Sequence, residues 1–294
     1  LFNRPFEKIV YHASGLYPRN NKLWIVGAQK KQFYCNPKHF FISTLAAKPD
    51  GVVCVWLSES SETVQKVRAL GFAAEKKSSI KGIYYRLRAG FYFYNCSIKD
   101  IGFNLSKKAV CVNLWHGIPL KKIESDQEKP GIKEEEISEK AMADWFLKIF
   151  NPRFCFRDSY VLSSSRYVTE KYFLSAFRKE AEFFIEVGYP RTDIFFKAAD
   201  EMEQFVRLYE PGLYSLVAEV KKFDKVFLYA PTWRDTEVDF IQMSGLDLQA
   251  VNDWLMSVNG CMLVKLHPYT NIDLSDLERG KFSNIKLVDQ MVDL

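Results

Sequence analysis

Short, continuous apolar runs recur along the chain, and each breaks off at Gly, Pro or a polar cluster. Residues 23–27, 52–57, 91–94, 109–115, 160–163, 183–186, 226–230, 261–266 and 285–288 have this form. Apolar, often β-branched runs without alternation mark strands buried on both faces, as in parallel sheets. Between them lie stretches with helical character: 37–47, 59–70, 80–89, 133–150, 165–177, 201–208, 213–221 and 246–258. Their ends carry suitable punctuation, with Pro37 in a first turn, Gly71 after a last one and Ser165 as an N-cap. Strands alternating with helices predict an α/β protein with parallel sheets. There are too many strands for one mononucleotide-binding half. Two Rossmann-like domains facing a cleft are therefore expected, spanning 1–188 and 189–294, with the boundary in the turn Gly188–Asp193.

Composition adds little to this picture except exclusions. With 294 residues, 48% of them hydrophobic, the chain can build a large core and is not a disordered segment. A net charge of +5 suits an anionic small molecule, an anionic membrane surface or no particular partner. It is too small for the dense basic stripe of a nucleic-acid binder. The six cysteines include no Cys-x-x-Cys pair, and Cys54, Cys111 and Cys261 fall inside predicted strands. That usage fits free thiols in a reducing compartment and argues against a structural zinc. No apolar run approaches the ~18 residues of a membrane span, and the opening Leu1-Phe2-Asn3-Arg4-Pro5 lacks an initiator Met, which reads as an excised segment.

Candidate chemistry gathers where predicted strands end, which is where open α/β sheets place ligands. His116 ends the run 109–115, and Gly117 and Pro119 follow it. Gly117 permits a sharp turn, and Pro119 can start a helix whose free N–H groups would face the imidazole. His116 then reads either as a base beside an anion site, with Lys121 and Lys122 nearby, or as a histidine packed in a turn. Thr232, Arg234 and Asp235 follow the run 226–230, as phosphate ligands or as a surface loop plugged by Trp233. His267 closes the run 261–266 before Pro268, as a ligand group or as a strand-end histidine held by backbone. Arg191 and Asp193 sit in the turn at the domain boundary, where they can pair across a hinge. The carboxylates Asp126, Glu128 and Glu134 to Glu136 lie in a charged, loop-like stretch without metal-ligand spacing, so no metal is called for and a divalent ion is left open. Lys76, Lys77, Lys81, Arg86 and Arg88 interleave with Tyr84, Tyr85 and the run 91–94, either as a membrane-facing patch or as a surface helix entering a core strand.

Taken in order, four of these motifs resemble the CDP-glycerol glycerophosphotransferase family of teichoic-acid and capsule synthesis. They are Trp115-His116-Gly117-Ile118-Pro119-Leu120-Lys121, Gly188-Tyr189-Pro190-Arg191-Thr192-Asp193, Tyr229-Ala230-Pro231-Thr232-Trp233-Arg234-Asp235 and His267-Pro268. The resemblance runs from about Leu23 to Val288. It implies a GT-B-like fold with the acceptor side N-terminal and the nucleotide-donor side C-terminal. It implies transfer of glycerol phosphate or a related polyol phosphate from CDP-glycerol, or CDP-ribitol, to a lipid-linked or polyol-phosphate acceptor, with release of CMP. His116 is then the base, and Thr232, Arg234, His267 and Arg191 face the donor phosphates, with Gly117, Pro119, Asp235 and Lys121 in support. The place implied is the cytoplasm, at the inner face of the cytoplasmic membrane. An Asp-Tyr-Ser-Ser type motif that such proteins carry beyond the His-Pro strand is not reached by Leu294, so the C-terminal domain is expected to be incomplete. Two other readings stand beside it: a GT-B glycosyltransferase using a nucleotide sugar, and a non-catalytic scaffold module in a cell-surface polymer assembly.

Overall fold

The computed structural model describes residues 3–127, 158–231, 245–266 and 279–288. The helix expected over 133–150, together with Cys155, Thr232, Arg234, Asp235 and His267, lies outside the described residues. The chain divides into two compact units, Leu1–Phe196 and Lys197–Leu294.

The first unit is a seven-stranded parallel sheet of order β3-β2-β1-β4-β5-β6-β7. Its strands are β1 (Asn20–Val26), β2 (Val53–Ser58), β3 (Ala74–Lys76), β4 (Ala89–Tyr94), β5 (Val110–Asn113), β6 (Tyr160–Ser163) and β7 (Phe184–Glu186). The order reverses between β1 and β4, which makes their C-terminal ends the topological switch point. Both sheet faces are apolar because both are covered. One presents Leu23, Ile25, Val55, Leu57, Tyr92, Tyr94 and Cys111 to a cluster that takes in Ile98, Ile101, Phe103 and Tyr11 of α1 (Asn3–Ser14). The other presents aromatic rings to α2 (Cys35–Ala47). There Phe40 lies 4.3 Å from Phe93, and Phe41 meets Trp56 edge-on at 5.7 Å. Helices α3 (Ser61–Ala69) and α4 (Ile80–Arg88) are each opened by a serine, Ser60 and Ser79, whose hydroxyl accepts a backbone N–H two helical residues in.

The run 165–177 is one continuous helical segment, α5 (residues 166–177), capped by Ser165 as its sequence predicts. Its middle, Thr169–Phe173, winds as a π-helical turn, a feature that recurs near functional sites.

The second unit has the three-stranded parallel order β10-β9-β8, from β8 (Lys225–Tyr229), β9 (Gly260–Val264) and β10 (Ile285–Leu287). Its described residues form the helices α6 (Ala199–Tyr209), α7 (Pro211–Val220) and α8 (Leu248–Ser257) and a core that includes Leu255, Val264, Leu266, Phe282 and Ile285. The succession β8-β9-β10 repeats that of β1-β2-β3, but β1 has β4 on its far side. Among the described residues β8 pairs only with β9, and Val226, Phe227 and Leu228 are exposed.

The division between units falls after Phe196, not at Gly188. The turn expected to be a hinge continues into a 3-10 helix, Pro190–Phe196, that is fastened to the first unit. The Arg191 N–H donates to Asn36 Oδ1 (3.3 Å), and the Tyr189 hydroxyl donates to the Gly117 carbonyl (3.2 Å).

Candidate active site

Strand β5 delivers the loop 114–118 to the C-terminal edge of the sheet, two strands from β1 and next to the switch point. Asn113, the last strand residue, is buried and holds the loop from below: its Oδ1 accepts the Trp115 N–H at 2.9 Å. Its Nδ2 donates to Asp158 Oδ2 (3.2 Å) and to the Cys96 carbonyl (3.3 Å). The Asp158 carboxylate also accepts the Tyr94 hydroxyl, and burial pushes its pKa up. A polar network inside the first unit thus ends on the backbone of the loop.

From the other side comes Asn36, fully buried in the first turn of α2. Its Nδ2 donates to the carbonyls of Leu114 (3.0 Å) and Trp115 (2.9 Å), while its Oδ1 accepts Arg191 N–H. One side chain therefore fixes both the His116 loop and the Arg191 turn. The need for such clamps is visible in Trp115, whose φ of 51° lies in the left-handed region. A bulky residue there costs about 1–2 kcal/mol and persists only where its surroundings hold it.

His116 is half-buried, with its ring stacked on Trp115 at 4.2 Å. Trp115 is in turn wedged edge-on against Phe173 (6.0 Å) and Phe177 (4.9 Å) of α5. Burial, and then the Arg191 guanidinium, lower the His116 pKa, which favours the uncharged imidazole. Gly117 follows with φ 148°, and a Cβ there would stand 3.4 Å from Arg191 Nη2. Glycine thus meets both the torsion and the close approach of the guanidinium. Arg191 Nη1 also reaches Cys35 Sγ at 3.9 Å. An uncharged imidazole beside a guanidinium combines a proton acceptor with an anion ligand, as a reaction between a hydroxyl and a phosphate requires.

Of the residues singled out from sequence, the structure brings His116, Gly117 and Arg191 together. Arg191 is in the first unit, not in the second domain to which the sequence boundary assigned it, and it engages Cys35 and the Gly117 region. The helix expected at Pro119 does not form. Residues 118–123 run as an irregular loop, and the next helical turn is the short 3-10 turn Glu124–Asp126. Lys121 is exposed on that loop. The basic, aromatic stretch around α4 is divided: Arg86 is buried on the Lys77 carbonyl and Asn104, Lys77 pairs with Glu59 at 3.5 Å, and the run 91–94 lies in core strand β4. Lys81, Ile80, Ile83 and Tyr84 remain exposed. Among the described residues no three His, Cys, Asp or Glu side chains converge as metal ligands, and no helix is long and apolar enough to cross a membrane.

Sequence reasoning gave no role to Asn36, Asn113, Asp158 or Tyr189, although Tyr189 stands inside the turn motif 188–193 and Asn113 is a polar residue in an otherwise apolar strand, three positions before a strand-end histidine.

Comparison with known proteins extends this picture. The profile of a family described as CDP-glycerol:poly(glycerophosphate) glycerophosphotransferase matches residues 9–294. The teichoic acid poly(glycerol phosphate) polymerase of Bacillus spizizenii is 30% identical over 233 residues, which are 77% of this chain and 54% of the relative. The teichoic acid glycerol-phosphate transferase of Staphylococcus aureus is 26% identical over 220 residues, 75% of this chain and 52% of the relative. The chain thus spans about half the length of these curated relatives. Among solved structures, the wall teichoic acid polymerase TagF matches with a TM-score of 0.65 at 21% identity, over 96% of this chain and 64% of that one. This likeness shows the fold class, α/β and GT-B-like.

Proposed function

The chain belongs to the CDP-glycerol:poly(glycerophosphate) glycerophosphotransferase family, and from that premise we propose that it transfers glycerol phosphate from CDP-glycerol to an acceptor hydroxyl in teichoic acid synthesis. The observation that carries the reading is the placement of His116 at the end of β5, on a loop clamped by Asn36 and beside Arg191. In the reaction the acceptor oxygen attacks the phosphorus that bears glycerol. His116 takes the hydroxyl proton, and the bond from that phosphorus to the bridging oxygen breaks, so that CMP leaves with the electron pair. Such transfers depend on positioning and charge stabilisation more than on covalent work by the protein. Arg191 is assigned to the phosphoryl oxygens next to His116. Thr232, Arg234 and His267, with Asp235 in support, are assigned to the donor phosphates by their place in the family motifs. The acceptor is a lipid-linked or polyol-phosphate chain, which places the reaction at the inner face of the cytoplasmic membrane. The exposed Ile80, Ile83, Tyr84 and Lys81 of α4 support a peripheral contact there.

The test is CMP release from CDP-glycerol with and without a glycerophosphate acceptor, run beside CDP-ribitol and a UDP-sugar. Acceptor-dependent release from CDP-glycerol is the expected result. Turnover confined to the UDP-sugar would replace phosphoryl transfer with glycosyl transfer.

A pH prediction follows from the cause of the His116 shift. The base works when neutral, so the rate falls as pH drops through its pKa, and a lowered pKa preserves activity on the acid side. Arg191→Gln removes one of the two causes and is expected to move the acid limb of the kcat profile to higher pH, whereas Arg191→Lys leaves the limb nearer its original place. Because burial is the larger cause, the move is partial. A limb unmoved in Arg191→Gln, recorded from pH 5 to 8, would detach Arg191 from the base.

A further inference from the structure

Beyond His116 the loop 119–123 and the face of α5 enclose an open groove of about 550 Å³. Lys121, Lys122, Lys171, Tyr172, Asp126 and Ser175 line it. We propose that this groove binds a phosphodiester anion of the acceptor chain and holds that chain as its end approaches His116.

Three observations lead there. The first is position. One wall is the direct continuation of the His116 loop, and the other is the helix whose Phe173 and Phe177 wedge Trp115 under the imidazole. The second is charge. Three lysines face the groove against one carboxylate, Asp126, whose Oδ2 accepts the hydroxyl of Ser175 on the facing helix at 2.6 Å. The third is order in an exposed cation. Lys171 Nζ donates to the Tyr167 hydroxyl at 2.6 Å and lies 5.1 and 5.6 Å from the ring centroids of Tyr167 and Tyr172. An ammonium held by a hydroxyl and two aromatic faces loses less freedom on meeting an anion than a free lysine does. The π-helical turn Thr169–Phe173 carries both Lys171 and Tyr172 into the lining.

The class of ligand follows from the shape. An open trough lined by exposed lysines suits an extended polyanion that slides along it, more than an enclosed small molecule. A phosphodiester reaches such a surface either in a polyol-phosphate chain or in a phospholipid headgroup. The groove's continuity with the His116 loop favours the chain. The identity of that chain rests on the glycerophosphate-transfer reading; the anion chemistry of the groove does not.

The experiment measures binding of a fluorescent glycerophosphate oligomer, and separately of phosphatidylglycerol vesicles, to the wild type, to Lys121→Gln/Lys171→Gln and to Lys121→Arg/Lys171→Arg. Both positions are exposed, so the substitutions leave the core intact. Loss of the two charges is expected to weaken oligomer binding about tenfold and flatten its salt dependence, with the arginine pair retaining affinity. Equal oligomer affinity in all three proteins overturns the proposal, as does lysine-dependent binding of vesicles without binding of oligomer. CDP-glycerol turnover in the same proteins separates the two readings. No turnover with lysine-dependent oligomer binding removes the transfer reading and leaves the groove. Turnover with an unchanged acceptor KM in the glutamine variant removes the groove and leaves the transfer.

Discussion

His116→Ala is expected to lower acceptor-dependent CMP release by about 10²–10⁴-fold, the usual contribution of a positioned general base, while donor binding and the folded state survive. Three features underlie this expectation. It is half-buried at the edge of the sheet and contributes no strand pairing. Its ring rests on Trp115, which keeps its own packing against Phe173 and Phe177 when the imidazole is gone. Its lowered pKa favours the uncharged, proton-accepting form, so the variant also loses the acid limb of the pH profile. The measurements are kcat at saturating donor, CDP-glycerol affinity and a thermal melt. A variant that melts normally, binds donor and turns over at near wild-type rate would take the base away from His116.

The second large effect falls on a residue with no part in proton transfer. Asn36→Ala removes two donors from the carbonyls of Leu114 and Trp115 and the acceptor of the Arg191 N–H, all at a fully buried position. Stranding one buried polar group costs roughly 1–3 kcal/mol, so a loss of about 3 kcal/mol in unfolding free energy is expected once the loop has relaxed. Asn36→Asp is expected to be worse, because it turns a carboxylate toward two carbonyl oxygens. Activity should fall beyond what unfolding explains. With the clamp gone, Trp115 can leave its left-handed torsion, and both His116 and Arg191 lose their fixed placement. Denaturant melts report the first effect, and kcat well below the melting temperature reports the second. Full activity at that temperature would mean that the loop is held by Asn113 alone.

Much of this architecture was legible in the order of residues. The apolar runs at 23–27, 52–57, 109–115 and 160–163 became β1, β2, β5 and β6 because a strand covered on both faces has no polar face to alternate. The Ser165 cap marked the start of α5, and Gly117 marked a backbone that ordinary residues avoid. His116 stood out because a titratable ring at the end of a buried run has few structural reasons to be there. Strand β3 left no such trace: Ala74, Glu75 and Lys76 form a short strand that among the described residues pairs only with β2, so the polar side chains of Glu75 and Lys76 are tolerated. Helix α1 was also passed over; among its described side chains Tyr11 stacks on Phe103 at 4.5 Å.

What the sequence by itself determined, then, was which segments form strands and helices, which of them are buried and where a histidine would emerge from a strand. These follow from torsional preference and from the period of hydrophobic positions, which act over a few residues at a time. The tertiary structure alone decided how that histidine is held and which charge stands beside it. Asn36 reaches Leu114 across 78 positions and Arg191 across 155, and its own neighbours in the chain resemble any polar helix start. Arg191 read as part of a hinge because Gly188 and Pro190 are turn residues; it joined the first unit because Tyr189 and Asn36 bind its turn there. Such contacts are selected by the packing of α2 and the Pro190–Phe196 turn at the sheet's edge, a sum of long-range interactions that no local stretch of sequence contains.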